Sequence, residues 1–130
     1  MKKLLSSILM CCFTSTILSS DISSWDCYKF EGAKIIGEDG TFLGSLESGY
    51  NSDSIYNSYG DYGSSYCTDC IWNEYSDWGN TYSSTSPFNE DASDPPVLLK
   101  DGEIVGLFTT KEYISDGINP DSVGRICGWD

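Results

Sequence analysis

The sequence contains no histidine among its 130 residues. Without an imidazole it cannot carry a Ser-His-Asp or Cys-His catalytic pair, nor a zinc site with a histidine ligand. Basic residues are also scarce, because 7 Lys and Arg stand against 20 Asp and Glu and give a formal net charge of −13. Nucleic acids and anionic membranes bind surfaces that neutralise phosphate, so this acidity argues against both as partners.

A long apolar segment of membrane-spanning length is also missing. The apolar stretch over residues 4–18 is shorter than the roughly 20 residues that a membrane helix needs. It follows a basic start and precedes Ser19 and Ser20, an order typical of a secretory signal peptide. We therefore predict a signal peptide over residues 1–20 and an exported mature chain over residues 21–130, periplasmic or secreted. The mature chain is predicted to have no transmembrane segment.

Lipid attachment at Cys11 or Cys12 is the less favoured form of export, because Leu9 and Met10 precede Cys11 where a lipoprotein has small residues. Cleavage after residue 20 would remove two lysines and no acidic residue, so the charge of −13 would become −15.

Four cysteines remain in the mature chain, and an even number in a small exported domain is typical of disulfides. Three pairings are possible. We favour Cys67 with Cys70, which are close in sequence, and Cys27 with Cys127, which would join the two ends.

The middle of the chain contains a tandem repeat with a period of 16. Residues 16 apart match between residues 50 and 93: Tyr50, Tyr66 and Tyr82 are in register, and so are Asn57, Asn73 and Asn89, while Tyr56, Trp72 and Phe88 exchange one aromatic residue for another. About two and a half copies are present. One such unit cannot bury its apolar face alone, so we expect copies to stack on each other or on a sheet.

A second duplication flanks these repeats, with one copy before them and one after. Residues 34–46 and 96–109 each place an Asp-Gly pair between two short apolar runs, which predicts two β-hairpins whose strands can pair into one sheet. In the tail, residues 110–130, the pattern predicts a short helix near residues 111–115 and a turn or helix start at Asn119-Pro120. The predicted fold is a small, disulfide-stabilised, mainly β domain with two hairpins around the aromatic repeats.

The strings SIYNSYGDYGSSY, CIWNEYSDWGNTY and SPFNE, followed by DPPV and a closing Asp-Gly hairpin, resemble a group of small exported bacterial proteins with tandem repeats of this kind. The resemblance covers about residues 32–123. It implies export and a repeat architecture, and it implies no catalytic residues. The Cys67 and Cys70 pair departs from the other copies. At the position of Cys67 the other copies have Asn51 and Ser83, and at the position of Cys70 they have Ser54 and Ser86.

Aromatic side chains suggest a first function, the binding of carbohydrate or cell-wall material. Tyr and Trp rings can stack on sugar rings, and neighbouring Ser and Asn can bind hydroxyl groups. The candidate ligand-binding residues are Tyr56, Tyr59, Tyr62, Trp72, Tyr75 and Trp78. The alternative is that these rings form the core, because the mature chain has few aliphatic residues.

Acidic turns suggest a second function, weak binding of calcium. Residues 35–99 contain no Lys or Arg but hold 11 acidic residues, and extracellular calcium sites use such oxygen-rich loops. The candidate ligands are Asp53, Asp61, Asp69 and Asp77. The alternative is that these carboxylates are simply solvated, and calcium is the one cofactor that the sequence suggests.

Two enzymatic alternatives remain. A Cys-x-x-Cys pair such as Cys67 and Cys70 can exchange disulfides, but no cation or helix start is evident to lower a thiol pKa, which favours a structural bond. Paired carboxylates can hydrolyse glycosides, but acids are too abundant here to identify a pair. We therefore predict a binding or surface-associated module without catalytic residues, and a purely structural extracellular module as a further alternative.

Overall fold

The computed structural model describes residues 23–130, and the predicted signal peptide lies outside the described residues. After a short 3-10 turn, the elements are α1 (Cys27–Phe30), β1 (Ala33–Ile36), β2 (Phe42–Leu46), β3 (Val97–Lys100), β4 (Glu103–Phe108), β5 (Gly117–Ile118) and α2 (Pro120–Cys127). The five strands form one mixed sheet in a small domain, so the mainly β prediction is confirmed at this level.

The strand order in the sheet is β2-β1-β3-β4-β5. The first four strands pair antiparallel, and β5 joins β4 in parallel. An Asp39-Gly40 turn connects β1 to β2, and an Asp101-Gly102 turn connects β3 to β4. Gly40, Asp101 and Gly102 adopt positive φ angles of 89°, 53° and 81°, which Gly and Asp tolerate and most residues do not.

Aliphatic side chains on one face of the sheet form the core. In β1, Ala33 and Ile35 are buried while Lys34 between them is exposed, as expected for a strand with one covered face. Ile35 lies opposite Leu98 of β3. Phe108 of β4 is fully buried in the same cluster.

Residues 48–92, here called the turn region, connect β2 to β3 through successive turns. From Ser48 to Gly60, and again in the following copies, the N–H of every third residue donates to the carbonyl three residues earlier. Most of these turns begin at Ser or Asn, whose side-chain oxygen also accepts from the N–H two residues on, as in Ser54 Oγ with Tyr56 N (3.0 Å). These short polar side chains therefore supply hydrogen-bond acceptors to the backbone, as a neighbouring strand does in a sheet.

Positions 16 residues apart in the turn region share burial and hydrogen bonds. Ile55, Ile71 and Pro87 are buried, and so are Ser54, Cys70 and Ser86. The side-chain amides of Asn57, Asn73 and Asn89 each donate to the carbonyl six residues earlier, at 3.2, 2.8 and 2.9 Å. Residues 16 apart in this region therefore have similar local environments.

Each segment contains four hydrogen-bonded turns of three residues, and Gly63 and Gly79 lie at the same position of two successive segments. A Cβ atom at Gly63 would overlap the carbonyl oxygen of Asn57, and one at Gly79 would overlap that of Asn73. A side chain at either position would therefore collide with the backbone of the same segment.

The two ends of the described chain are joined by a disulfide between Cys27 in α1 and Cys127 in α2, with the Cα atoms 5.5 Å apart. Asn119 begins α2 as its N-cap and accepts from the N–H groups of Asp121 and Ser122. Residues 111–115 form turns and no helix, so the predicted short helix there is wrong. Tyr113, with a φ of 63°, interrupts any helical path at that point.

Candidate ligand-binding face of the turn region

Half-buried aromatic rings stack along the turn region. The ring centroids of Tyr56 and Trp72 are 6.2 Å apart, and those of Trp72 and Phe88 are 5.4 Å apart. Trp129, near the end of the chain, continues the series at 6.3 Å from Tyr56. We call these four rings the ring ladder. Its spacing fits the tilted contacts that aromatic pairs favour.

Hydrogen bonds fix two members of the ring ladder to the backbone. Trp72 donates through Nε1 to the carbonyl of Ile55, and the Tyr56 hydroxyl donates to the carbonyl of Pro120, both at 2.6 Å. Burial raises the pKa of the Tyr56 hydroxyl well above its ordinary value, and the nearby carboxylates of Asp121 and Asp130 raise it further. The hydroxyl therefore remains a proton donor at physiological pH.

A second class of aromatic side chains points into solvent. Five tyrosines of the turn region are between 87% and 99% exposed. These exposed tyrosines are Tyr50, Tyr66 and Tyr82, which share one position of the repeat, and Tyr59 and Tyr75, which share another. In each of them the backbone N–H donates to the side-chain oxygen of the Ser or Asn two residues earlier. Their backbones are therefore held while their rings stay exposed.

One groove joins the two classes. It has a volume of about 450 Å³ and is lined by Ser65, Tyr66, Trp72, Asn73, Glu74 and Tyr75. Tyr66 and Tyr75 are exposed tyrosines, and Trp72 belongs to the ring ladder. A groove of this size and lining can hold a small ring-shaped ligand between aromatic faces.

The structure distributes the six predicted ligand-binding residues over different environments. Tyr59 and Tyr75 are exposed, and Tyr56 and Trp72 are half-buried in the ring ladder. The other two lie toward the sheet: Tyr62 packs edge-on against Phe42 with centroids 4.9 Å apart, and Trp78 is buried in the core.

Three exposed tyrosines, Tyr50, Tyr66 and Tyr82, were not among those six residues. The 16-residue period was the signal that could have identified them, because it places all three at one position of the repeat. Their neighbours Tyr59 and Tyr75 share a second position.

The four aspartates predicted for calcium are all exposed. Within residues 23–130, no group of three or more acidic or cysteine side chains is arranged to hold a metal ion. The structure thus does not bring Asp53, Asp61, Asp69 and Asp77 together into one site, and calcium binding stays a prediction.

Cys67 and Cys70 form the second disulfide, with Cα atoms 5.3 Å apart. Both disulfides match the pairing that the sequence favours, and the prediction of disulfide bonds is confirmed. Cys70 is 1% exposed, whereas thiol exchange requires access to the attacked sulfur. This environment favours a structural role for the pair.

The arrangement as a whole offers aromatic faces, hydroxyl and amide groups and a carboxylate in one open groove, which suits binding.

Neither helix in residues 23–130 has the length and apolar character needed to cross a membrane. Comparison with protein-family models, with curated proteins and with solved structures finds no match to this chain.

Proposed function

We propose that this protein is an exported, non-enzymatic binding module that recognises glycan through the exposed tyrosines and the ring ladder. The observation that carries the proposal is the groove lined by the exposed Tyr66 and Tyr75 and the half-buried Trp72. Sugar rings stack on such aromatic faces, while Ser65 and Asn73 supply polar groups for sugar hydroxyls.

The exposure of the five tyrosines supports binding over a purely structural role. Tyr carries a large apolar ring, and contiguous exposed apolar surface on a soluble domain marks interaction sites. If the aromatic residues served only as core, all of them would be packed as Trp78 and the ring ladder are. Tyr also gives a rigid contact surface at low cost in conformational entropy, which suits recognition.

The proposal includes a repeat architecture for the site. We take residues 50–93 as about two and a half structural repeats and the strand pairs β1-β2 and β3-β4 as two duplicated hairpins around them. The burial and the asparagine hydrogen bonds shared by equivalent positions of successive segments support the repeats. Repeated units would present equivalent tyrosines side by side, as an extended polymer requires.

Export is part of the proposal and rests on the predicted signal peptide and on the disulfides. Two disulfides in a domain of this size are typical of oxidising compartments. A cell-wall or extracellular glycan is the kind of ligand that such a compartment offers.

Co-sedimentation with insoluble polysaccharide tests this function. Purified protein is mixed with peptidoglycan sacculi, chitin or cellulose, and the fraction in the pellet is measured. We expect the protein to sediment with at least one of them, and the triple variant Tyr50→Ala/Tyr66→Ala/Tyr82→Ala to remain in solution. Tyr28→Ala is the matched control, because Tyr28 is exposed but lies in α1, outside the turn region.

Absence of sedimentation with all three polysaccharides would overturn the proposal. Equal loss of binding in Tyr28→Ala would also overturn it, because binding would then not depend on the exposed tyrosines. Near-ultraviolet circular dichroism of each variant establishes that the fold is kept.

A further inference from the structure

The groove at Tyr66 and Tyr75 carries a negative charge within a segment that has no basic residue. Glu74 lines the groove and its side chain is exposed. Residues 35–99 contain no Lys or Arg, and the whole chain has a formal net charge of −13. A ligand in this groove therefore meets a negative potential from the groove and from the rest of the protein.

The second 16-residue segment combines these features. Its residues Trp72, Glu74 and Tyr75 all line the groove. At the positions equivalent to Glu74 and Tyr75, the first segment has Ser58 and Tyr59, and the third has Glu90 and Asp91. The second segment thus has a carboxylate directly before its exposed tyrosine, where the first segment has Ser58.

We propose that this groove binds a glycan with free amino groups, such as a deacetylated amino-sugar polymer. The inference rests on the proposed glycan binding and adds the chemical class of the sugar. The rings of Tyr66, Trp72 and Tyr75 stack on the sugar, and the Glu74 carboxylate pairs with its ammonium group. Anionic polysaccharides are disfavoured because they would bring like charge into a negative potential.

The size of the preference follows from the exposure of the charge. A solvent-exposed ion pair contributes little, so a sugar with free amines should bind about threefold more tightly than its acetylated counterpart. Stacking contributes more, and loss of one aromatic wall should weaken the binding of both sugars by about tenfold. The preference for the free amine should also fall at high salt, because exposed charges are screened.

Calorimetric titration with two matched soluble oligosaccharides tests the inference. The probes are a β-1,4-linked glucosamine hexamer and the corresponding N-acetylglucosamine hexamer, measured at mildly acidic pH where the free amines are protonated. We expect the glucosamine hexamer to bind about threefold more tightly to the unaltered protein. Glu74→Gln should remove this preference and leave binding of the acetylated hexamer unchanged. Glu90→Gln, at the equivalent position one repeat later and outside the groove, should keep the preference.

The outcomes separate this inference from the proposed function. Equal affinity for the two hexamers, or a preference that survives in Glu74→Gln, overturns the inference and leaves glycan binding intact. Failure of both hexamers to bind, with polysaccharide sedimentation still dependent on the exposed tyrosines, also overturns the inference alone. Failure of both hexamers and of every polysaccharide overturns the proposed function as well.

Discussion

The sheet and the turn region satisfy their backbones in different ways. In the sheet, each strand finds its hydrogen-bond partner on a neighbouring strand, which can be as distant in sequence as β3 is from β1. In the turn region, the partner is three residues away, and a Ser or Asn side chain supplies a second acceptor. One region depends on pairing between separate segments, and the other depends mainly on local residues, with a single bridge from Ser54 to Ser45 of β2.

This difference has a consequence for the large side chains. In β1 the buried Ala33 and Ile35 alternate with the exposed Lys34, so the face of the sheet decides where a side chain lies. In the turn region, Ser and Asn at most of the turn starts hold the backbone, and the aromatic residues lie on either side. The ring ladder packs inward, while the exposed tyrosines face solvent on a backbone that is already fixed.

One disulfide links residues that are far apart in sequence, and the other links near neighbours. Removing them should give the largest difference in the free energy of unfolding between two matched variants. Replacing Cys27 and Cys127 by Ala removes a link across a sequence separation of 100 and should lower the free energy of unfolding by about 4 kcal/mol. Replacing Cys67 and Cys70 by Ser should cost about 2 kcal/mol or less, because the loop is short. Urea unfolding of both variants measures the two losses in free energy of unfolding. An equal or larger loss for the short loop would contradict this comparison.

Glycine in the turn region should matter through steric overlap rather than through φ. Gly79→Ala places a Cβ against the carbonyl of Asn73 and should destabilise the protein by about 3 kcal/mol. Gly32→Ala is the matched control, because Gly32 has a φ of 84° with open space around it and should cost about 1 kcal/mol. Thermal unfolding compares them. A cost for Gly79→Ala no greater than that for Gly32→Ala would contradict the close approach of Gly79 to the carbonyl of Asn73.

Asparagine side chains should contribute according to the number of bonds they make. Asn89 accepts from Asp91 N and donates to Ser83 O, each at 2.9 Å, so Asn89→Ala should cost about 2 kcal/mol. Asn80→Ala removes one side-chain bond, to Tyr82 N, and should cost about 1 kcal/mol. Denaturant unfolding distinguishes the two values. If both variants are as stable as the unaltered protein, local side chains do not support the turns.

Tyr56 joins the turn region to α2 and should make stability depend on alkaline pH. Because burial raises its pKa in the folded state, its contribution is complete below its ordinary pKa of 10.0 and is lost as the pH rises above that value. Tyr56→Phe should cost about 1 kcal/mol at neutral pH through the lost bond to Pro120. The difference in unfolding free energy between the two proteins should therefore shrink at high pH. A difference that stays constant to strongly alkaline pH would contradict the burial of this hydroxyl.

Local signals in the sequence predicted more of the fold than of the site. The Asp-Gly pairs mark two turns in which Gly40, Asp101 and Gly102 have positive φ, a local demand that the sequence shows, while the duplicated hairpins remain a proposal. The two-residue strand β5 and its parallel pairing with β4 had no local signal, since they depend on contacts that the chain makes only when folded. The prediction of a short helix near residues 111–115 was wrong because a pattern of only a few residues does not determine a helix.

For the site, the sequence showed the period of 16 but did not show which rings face solvent and which pack inward. The positions of Tyr50 and Tyr56 are both aromatic in every copy, yet Tyr50 is exposed and Tyr56 is half-buried. The usual rules for assigning a face use the periods of a strand or a helix, and a chain that turns every three residues follows neither. Only the path of the folded chain separates the ring ladder from the exposed tyrosines.

The most direct test of the proposed binding face is nuclear magnetic resonance of the tyrosine rings in the presence of glycan. With ring signals assigned by single Tyr→Phe variants, a soluble amino-sugar oligosaccharide is added and the shift of each ring is followed. We predict that Tyr66 and Tyr75 shift with saturable dependence on the ligand, while the exposed Tyr28 and Tyr113 outside the turn region do not. Unchanged signals for Tyr66 and Tyr75, or equal shifts at Tyr28 and Tyr113, would contradict it.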